Sequence, residues 1–303
     1  MVKAVARTIE LSCSHQYTDN PPEKPVRGNY YESFWSALLS SELQFSRPAL
    51  ITFNYDLVLE RTLWDYFHFA KDTRPESPIK TVGIQYHYGI CDFAVRAQQH
   101  AYNFGNQFNQ DFRPGEKGVF EWINKADVTI PYLMLHGSLN WDQDHPSRPT
   151  TESGERIMPN GYPTKVVEKP LILPPVFNKM NSSKINAVWN AALEVLRNAK
   201  NIIIVGYSLP KTDIYMQYFL KSAIGPNSDL QKIMVFDPVL FKDNERNSEM
   251  RQRYKECFSP QFSSRINFNP TSMYTNGKGP EDGCFSHFVH SLRYKSKQLL
   301  FYP

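Results

Sequence analysis

Short apolar runs of the fully buried kind, alternating with segments of helical periodicity, predict an α/β fold. The expected architecture is a mostly parallel, Rossmann-like sheet with helices on both faces. Three observations carry it. The runs ALITF (49–53), TIPYLML (129–135), NIIIV (201–205) and KIMVF (232–236) are continuous rather than alternating, as strands buried on both faces require. Amphipathic segments flank them. Each of the four also ends in a polar or glycine-containing turn, FNYD, HGSLNW, GYSLPKTD or FDP, and ligands bind such sheets at the carboxyl ends of the strands.

Taken in order, residues 1–30 resist placement: VKAVARTIEL fits a strand or a short helix, and the polar, proline-rich stretch after it reads as a loop. From Tyr30, YYESFWSALLSSELQF carries Phe34, Trp35, Leu38, Leu39 and Leu43 at helical spacing. The turn Ser46–Pro48 leads into ALITFNYD, and DLVLERTLWDYFHFA then has helical periodicity, with Asp56 placed as its N-cap. Between Lys71 and Val128 the chain becomes rich in Gln, Asn, Gly and aromatics without clean periodicity. That stretch is expected to be an insertion or lid, a smaller helical or irregular subdomain within one domain spanning 1–303.

The core resumes with TIPYLMLHGSLNW. Polar residues 142–168 and PLILPPVFNK follow, then a helix INAVWNAALEVLRNA whose Val188, Trp189, Ala192, Leu193 and Leu196 share one face. KNIIIV is expected as a buried strand, IYMQYFLKSAI as a helix and KIMVF as a second buried strand ending in Asp237. The tail holds a basic helix, SEMRQRYKECF, a Gly/Pro/Asn-rich loop and a last helix, CFSHFVHSLRYKS. No internal repeat is present.

Composition narrows the function classes. A chain with 41% apolar and 21% charged residues is ordinary for a soluble globular protein. A net charge of +4 is too mild to indicate nucleic acid, and the run RQRYK (251–255) is accounted for by a solvated helix face. Cys13, Cys91, Cys257 and Cys284 form no C-x-x-C pair, so they read as reduced, cytosolic thiols rather than a zinc site or disulfide framework. No run is long enough for a secretory signal or a membrane span. The aromatic share of 14% points to a core of large rings, or to surfaces that meet a flat ligand.

Each turn has two readings. Asn54 could bond a sugar hydroxyl and orient a water, or serve as turn-former and helix cap; NYD alone favours the second. His136 ends an apolar strand and precedes Gly137, which permits close approach, yet a lone histidine is more often a satisfied structural one. Gly206 and Ser208 could approach a phosphate, or form an ordinary α/β turn. Asp237 sits where dinucleotide-binding sheets hold a ribose, or is a turn residue before Pro238. His87, His100, His145, His287 and His290 read as surface histidines, although the last two lie three apart on a helix.

In combination, strand-FNYD-helix, strand-HGSLNW, PLILPP-helix, strand-GYSLPKTD-helix and strand-FDP resemble the sirtuin-like domains of bacterial anti-phage defence proteins, over roughly Ala49 to Asp237. The resemblance implies that Asn54 holds the nicotinamide ribose of NAD+ and positions a water, and that His136 contacts the ribose hydroxyls as a base. It implies that Gly206, Tyr207 and Ser208 lie beside the phosphates and adenosine ribose, with Asp237 on the adenosine side, Asp56 supporting the asparagine turn and Gly137 beside the histidine. The implied activity is an NAD+ glycohydrolase, with NAD+ as substrate. Homo-oligomers and a partner ATPase or sensor protein are further implications.

Two features depart from that family. Its first strand and G-A-G-x-S turn are missing: the first thirty residues hold only Gly28 and no G-x-G. The paired C-x-x-C zinc module of the protein deacylases is also lacking, so no zinc is expected and hydrolysis is favoured over deacylation. A non-catalytic module that binds NAD+ or ADP-ribose, or scaffolds an assembly, is the alternative reading, ahead of a zinc-independent deacylase.

Overall fold

In the computed structural model the described residues are 30–39, 48–60, 62–63, 81–85, 93–96, 128–142, 169–173, 185–241, 244–268 and 284–294. The fold is α/β, mixing helices with small sheets that contain parallel strand pairs. The chain divides into two compact units, Met1–Ala191 and Ala192–Pro303. Each is taken by itself.

In the first unit, helix α1 (Tyr30–Leu38) turns Phe34, Trp35 and Leu38 inward, as their spacing predicts; Leu43 lies outside the described residues. The Trp35 indole N–H donates to the Leu59 carbonyl at 3.0 Å. A four-stranded sheet has the order β1 (Leu50–Thr52), β4 (Val128–Met134), β2 (Thr81–Gln85), β3 (Phe93–Arg96). β1 and β2 both run parallel to β4, while β3 is antiparallel to β2. The segment 71–128 therefore contributes β2 and β3 to this sheet, and β2 lies between two other strands. The rest of that segment lies outside the described residues.

A further two-stranded sheet pairs β5 (Gly137–Asp142) with β6 (Pro170–Ile172) antiparallel. The sequence suggests a polar turn throughout HGSLNW, whereas the structure confines the turn to Leu135–His136 and makes the remainder a strand. The physical reason lies in the alternation of its residues. Ser138 and Asn140 share one face of the strand and bond each other, Oγ to Oδ1 at 2.7 Å, so both are buried with their polar groups engaged. Leu139, on the other face, packs with Leu57 and Ile172.

Helix α2 (Asn186–Arg197) buries Val188, Trp189, Ala192 and Leu196, with Leu193 half-buried. In the second unit β7 (Asn201–Val205), β8 (Lys232–Phe236) and β9 (Ile266–Phe268) form a parallel sheet in that order. β8, with a strand on each side, is buried from Ile233 onward. Among the described residues β7 has one strand neighbour, and Ile203, Ile204 and Val205 are only half-buried, less than their β-branched run suggests.

Helix α3 (Ile214–Ile224) connects β7 to β8, capped by Asp213, whose carboxylate accepts the Met216 N–H. Helix α4 (Glu245–Cys257), capped by Asn244, follows β8 and buries Asn247, Met250, Tyr254 and Cys257, one face at helical spacing. A single helical turn α5 (Pro260–Ser263) leads to β9, and helix α6 (Cys284–Tyr294) comes last. Among the described residues no helix is long and apolar enough to cross a membrane.

Asn227 joins α3 to β8 and is almost wholly buried. Its Nδ2 donates to the carbonyls of Leu196 and Ala199, both at 2.8 Å, and its Oδ1 accepts the Asp229 N–H at 2.9 Å. Asn227→Ala leaves these groups without partners in a sheltered site. Denaturant unfolding is expected to show a loss of about 2–3 kcal/mol.

Candidate functional site

The parallel pairing of β1 and β4 brings two turns side by side. Thr52 is in register with Met134, and the chains then leave their strands together: the Leu135 N–H donates to the Thr52 carbonyl at 3.0 Å, and the Leu139 N–H to the Tyr55 carbonyl at 3.1 Å. Asn54 and His136 consequently belong to adjacent turns at the carboxyl ends of neighbouring parallel strands. Asn54 is exposed, its N–H held by the Thr52 hydroxyl at 3.0 Å. His136 is buried at 7% exposure, with its imidazole centroid 5.3 Å from the Phe53 ring and 5.9 Å from that of Tyr55.

Tyr55 ties this corner together. Its hydroxyl donates to the Leu173 carbonyl at 2.6 Å, while the Leu173 N–H donates to the His136 carbonyl at 2.8 Å. The Tyr55 side chain also packs on the cluster of Leu57, Leu139 and Ile172. Burial raises the pKa of its hydroxyl, so it remains a donor at neutral pH. Asp56 accepts the Val58 N–H at 3.1 Å, capping a helical stretch in which residues 58–60 and 62–63 are described. One turn on, buried Glu60 lies near the Tyr132 hydroxyl, 3.5 Å away. Burial, and then the carboxylates of Glu60 and Asp56, push that hydroxyl well above its ordinary range.

Gly137 has a left-handed backbone, with φ of 87°, and a Cβ there would run into the Leu171 carbonyl oxygen. Glycine is required here on both counts.

A second group forms at the carboxyl ends of β7 and β8. The Gly206 N–H donates to the Phe236 carbonyl at 2.8 Å, which sets the start of the GYSL loop beside Phe236–Asp237. Gly206 (φ 70°) is exposed, and Tyr207 and Ser208 are half-buried. The Tyr207 hydroxyl donates to Asp213 at 2.9 Å; burial and that carboxylate keep the phenol protonated. Asp237 is buried at 5% exposure and accepts the Val239 N–H at 2.9 Å, forming the turn that ends β8.

The eight residues singled out from the sequence thus fall into two sets. Asn54, Asp56, His136 and Gly137 gather in the first unit, and Gly206, Tyr207, Ser208 and Asp237 in the second. Sequence reasoning passed over Phe53 and Tyr55, the rings against His136, although their place inside FNYD was a signal. It also passed over Leu209, whose φ of 48° no residue pattern reveals, and over Tyr254 and Arg253, which reach the GYSL loop from α4.

His287 is corrected outright. It is fully buried, its ring 5.4 Å from that of Phe236 and 4.9 Å from that of Phe241, and so is no surface histidine. Its place on α6, between Ser286 and Phe288 and one turn before Ser291, all of them buried, is the physical reason. His87, His100 and His145 lie outside the described residues, as do Cys13 and Cys91. Nor is the basic run 251–255 wholly solvated: Arg251 lies over the Phe268 ring at 4.8 Å and Arg253 bonds the Ser208 carbonyl. Cys257 is a buried free thiol, its pKa pushed up to about 11 by burial despite the opposing Lys221 charge. Among the described residues no group of three or more His, Cys, Asp or Glu side chains could hold a metal ion.

An exposed amide beside a sheltered imidazole, with two aromatic rings at the imidazole, can bind hydroxyls and a planar group and can move a proton. Compared with protein-family profiles and with curated protein sequences, the chain matches none.

Gly137→Ala places a methyl group against the Leu171 carbonyl and forces alanine to positive φ. A loss of at least about 2 kcal/mol is expected in denaturant unfolding. Wild-type stability in that variant would show that the turn is not as constrained as its geometry states.

Proposed function

We propose that the chain is an NAD+ glycohydrolase of the sirtuin-like kind, with a Rossmann-like, mostly parallel sheet, acting as the effector of a prokaryotic anti-phage defence system. The observation that carries this reading is the placement of Asn54 and His136 on adjacent turns at the carboxyl ends of β1 and β4. Their residue types and order agree with the resemblance drawn from the sequence. NAD+ is the substrate, and the setting is the cytoplasm.

The chemistry asks little of the protein beyond positioning. Nicotinamide is a good leaving group from a ribose that develops oxocarbenium character, so holding the sugar and aiming one water supplies much of the rate. Asn54, exposed and fixed through its backbone to Thr52, orients the water. His136 binds the ribose hydroxyls and takes up the proton the water loses as its oxygen bonds the anomeric carbon. The glycosidic bond to nicotinamide breaks, and nicotinamide and ADP-ribose leave with one proton released. Gly206, Tyr207 and Ser208 serve the phosphates and adenosine ribose, and Asp237 the adenosine side. Homo-oligomers and a partner ATPase or sensor protein belong to the same proposal.

A non-catalytic module binding NAD+ or ADP-ribose is the second reading.

Purified protein is expected to release nicotinamide from NAD+, and Asn54→Ala and His136→Ala are each expected to slow this by about 10²-fold or more. Chromatographic assay of nicotinamide and ADP-ribose measures it. Binding of ADP-ribose without product would support the second reading, and neither binding nor turnover in the wild type would remove both.

A further inference from the structure

The loop that leaves β7 adopts a backbone its own residues do not favour. Gly206 tolerates its φ of 70°, but Leu209 has a φ of 48° and is the one non-glycine residue with positive φ among those described. A branched side chain in that region persists only where the surroundings hold it. Leu209 is fully buried, so the strain comes with an anchored side chain.

The holding groups come from two consecutive residues of α4. Tyr254, fully buried, donates its hydroxyl to the Tyr207 carbonyl at 2.5 Å. Arg253 donates Nη2 to the Ser208 carbonyl at 3.2 Å. The guanidinium has little other engagement: Nη1 stands 3.6 Å from the half-exposed Glu249, and Nε is buried with no hydrogen-bond partner. Burial, and then the Asp237 carboxylate, raise the Tyr254 hydroxyl well above its ordinary range, which keeps it a donor at every physiological pH. From the other side, Tyr207 bonds Asp213, the cap of α3.

A trans peptide points its carbonyl and its N–H in opposite directions, and no cis peptide occurs among the described residues. With the carbonyls of Tyr207 and Ser208 both drawn to α4, the N–H groups of Ser208 and Leu209 face away from that helix. Two successive backbone donors so directed suit an anionic or hydroxyl-rich ligand.

We infer that Tyr254 is a positioning residue for this loop: its hydroxyl, with Arg253 beside it, fixes two consecutive carbonyls and so sets the backbone of Gly206–Leu209 in the shape that receives ligand. The inference rests on the reading that the loop belongs to the NAD+ site. Tyr254 touches no reacting group, and its effect lies in affinity rather than in the chemical step.

Tyr254→Phe keeps the ring, which stands 6.1 Å from Phe268, and removes only the hydroxyl. In the full chain, hydrogen exchange across residues 206–213 is expected to quicken. The dissociation constant for ADP-ribose and the KM for NAD+ are expected to rise about tenfold, with kcat nearly unchanged. Arg253→Met, at a partly exposed position, moves the same quantities in the same direction should Tyr254→Phe fold poorly. Wild-type exchange, or wild-type ADP-ribose affinity in a protein that binds it, overturns the positioning role. If the wild type neither binds ADP-ribose nor releases nicotinamide, the NAD+ reading falls, and exchange at 206–213 alone decides whether α4 holds the loop.

Discussion

Parallel pairing of β1 with β4 is the constraint on which the placement of Asn54 and His136 depends. Parallel strands direct their carboxyl ends the same way, so whatever follows each strand must emerge on one edge of the sheet. The register Thr52↔Met134 then fixes how far apart the following residues lie. Two more backbone bonds, from Leu135 to Thr52 and from Leu139 to Tyr55, prolong the pairing past the strands into the turns. Asn54 and His136 are neighbours because of backbone geometry, before any side chain is considered. A slip of one residue in this register would move one turn along the other and separate Asn54 from His136.

The second unit repeats the device with other residues. β7 and β8 are paired in parallel from Asn201↔Lys232 to Val205↔Phe236, and one bond, from the Gly206 N–H to the Phe236 carbonyl, carries the pairing into the loop. Beyond that point the two units differ. The corner around His136 is closed by the residue that follows β6, Leu173, and the Tyr55 hydroxyl, whereas the loop after Gly206 is closed by a helix, through Tyr254 and Arg253. Side-chain donors on backbone carbonyls do the fixing in both places, and the tyrosine hydroxyls that act this way are held protonated by burial.

What the sequence disclosed follows from how far each signal reaches. Continuous apolar runs are local, so β1, β4, β7 and β8 were legible, as were the caps at Asp56 and the helical faces of α1 and α2. Pairing is not local. β2 looks unremarkable in TVGIQ and gains its place only by bonding β4 more than forty residues on. β5 was hidden for a different reason: Ser138 and Asn140 give it the composition of a turn, and only their mutual bond makes them suitable for burial. His287 was misplaced because the rings that shelter it, Phe236 and Phe241, lie far from it in sequence. The left-handed Leu209 has no sequence signature, since its conformation is imposed from outside the loop.

The contrast in exposure between Asn54 and His136 follows from β5. A strand that begins immediately after the histidine, at a glycine with no room for a Cβ, leaves His136 little freedom to move outward. Leu139 and Ile172 then anchor Tyr55, whose ring stands against the imidazole, so the same buried residues that make β5 a strand also hold the histidine. Asn54 has no such backing: its side chain is exposed, and the adjacent helical stretch is capped by Asp56 rather than by it. The turn-forming role that the sequence allowed for Asn54 is thus partly taken by its neighbours, Thr52 through its hydroxyl and Asp56 through its carboxylate. An asparagine relieved of capping leaves its side chain exposed, and a histidine fixed by packing keeps one orientation.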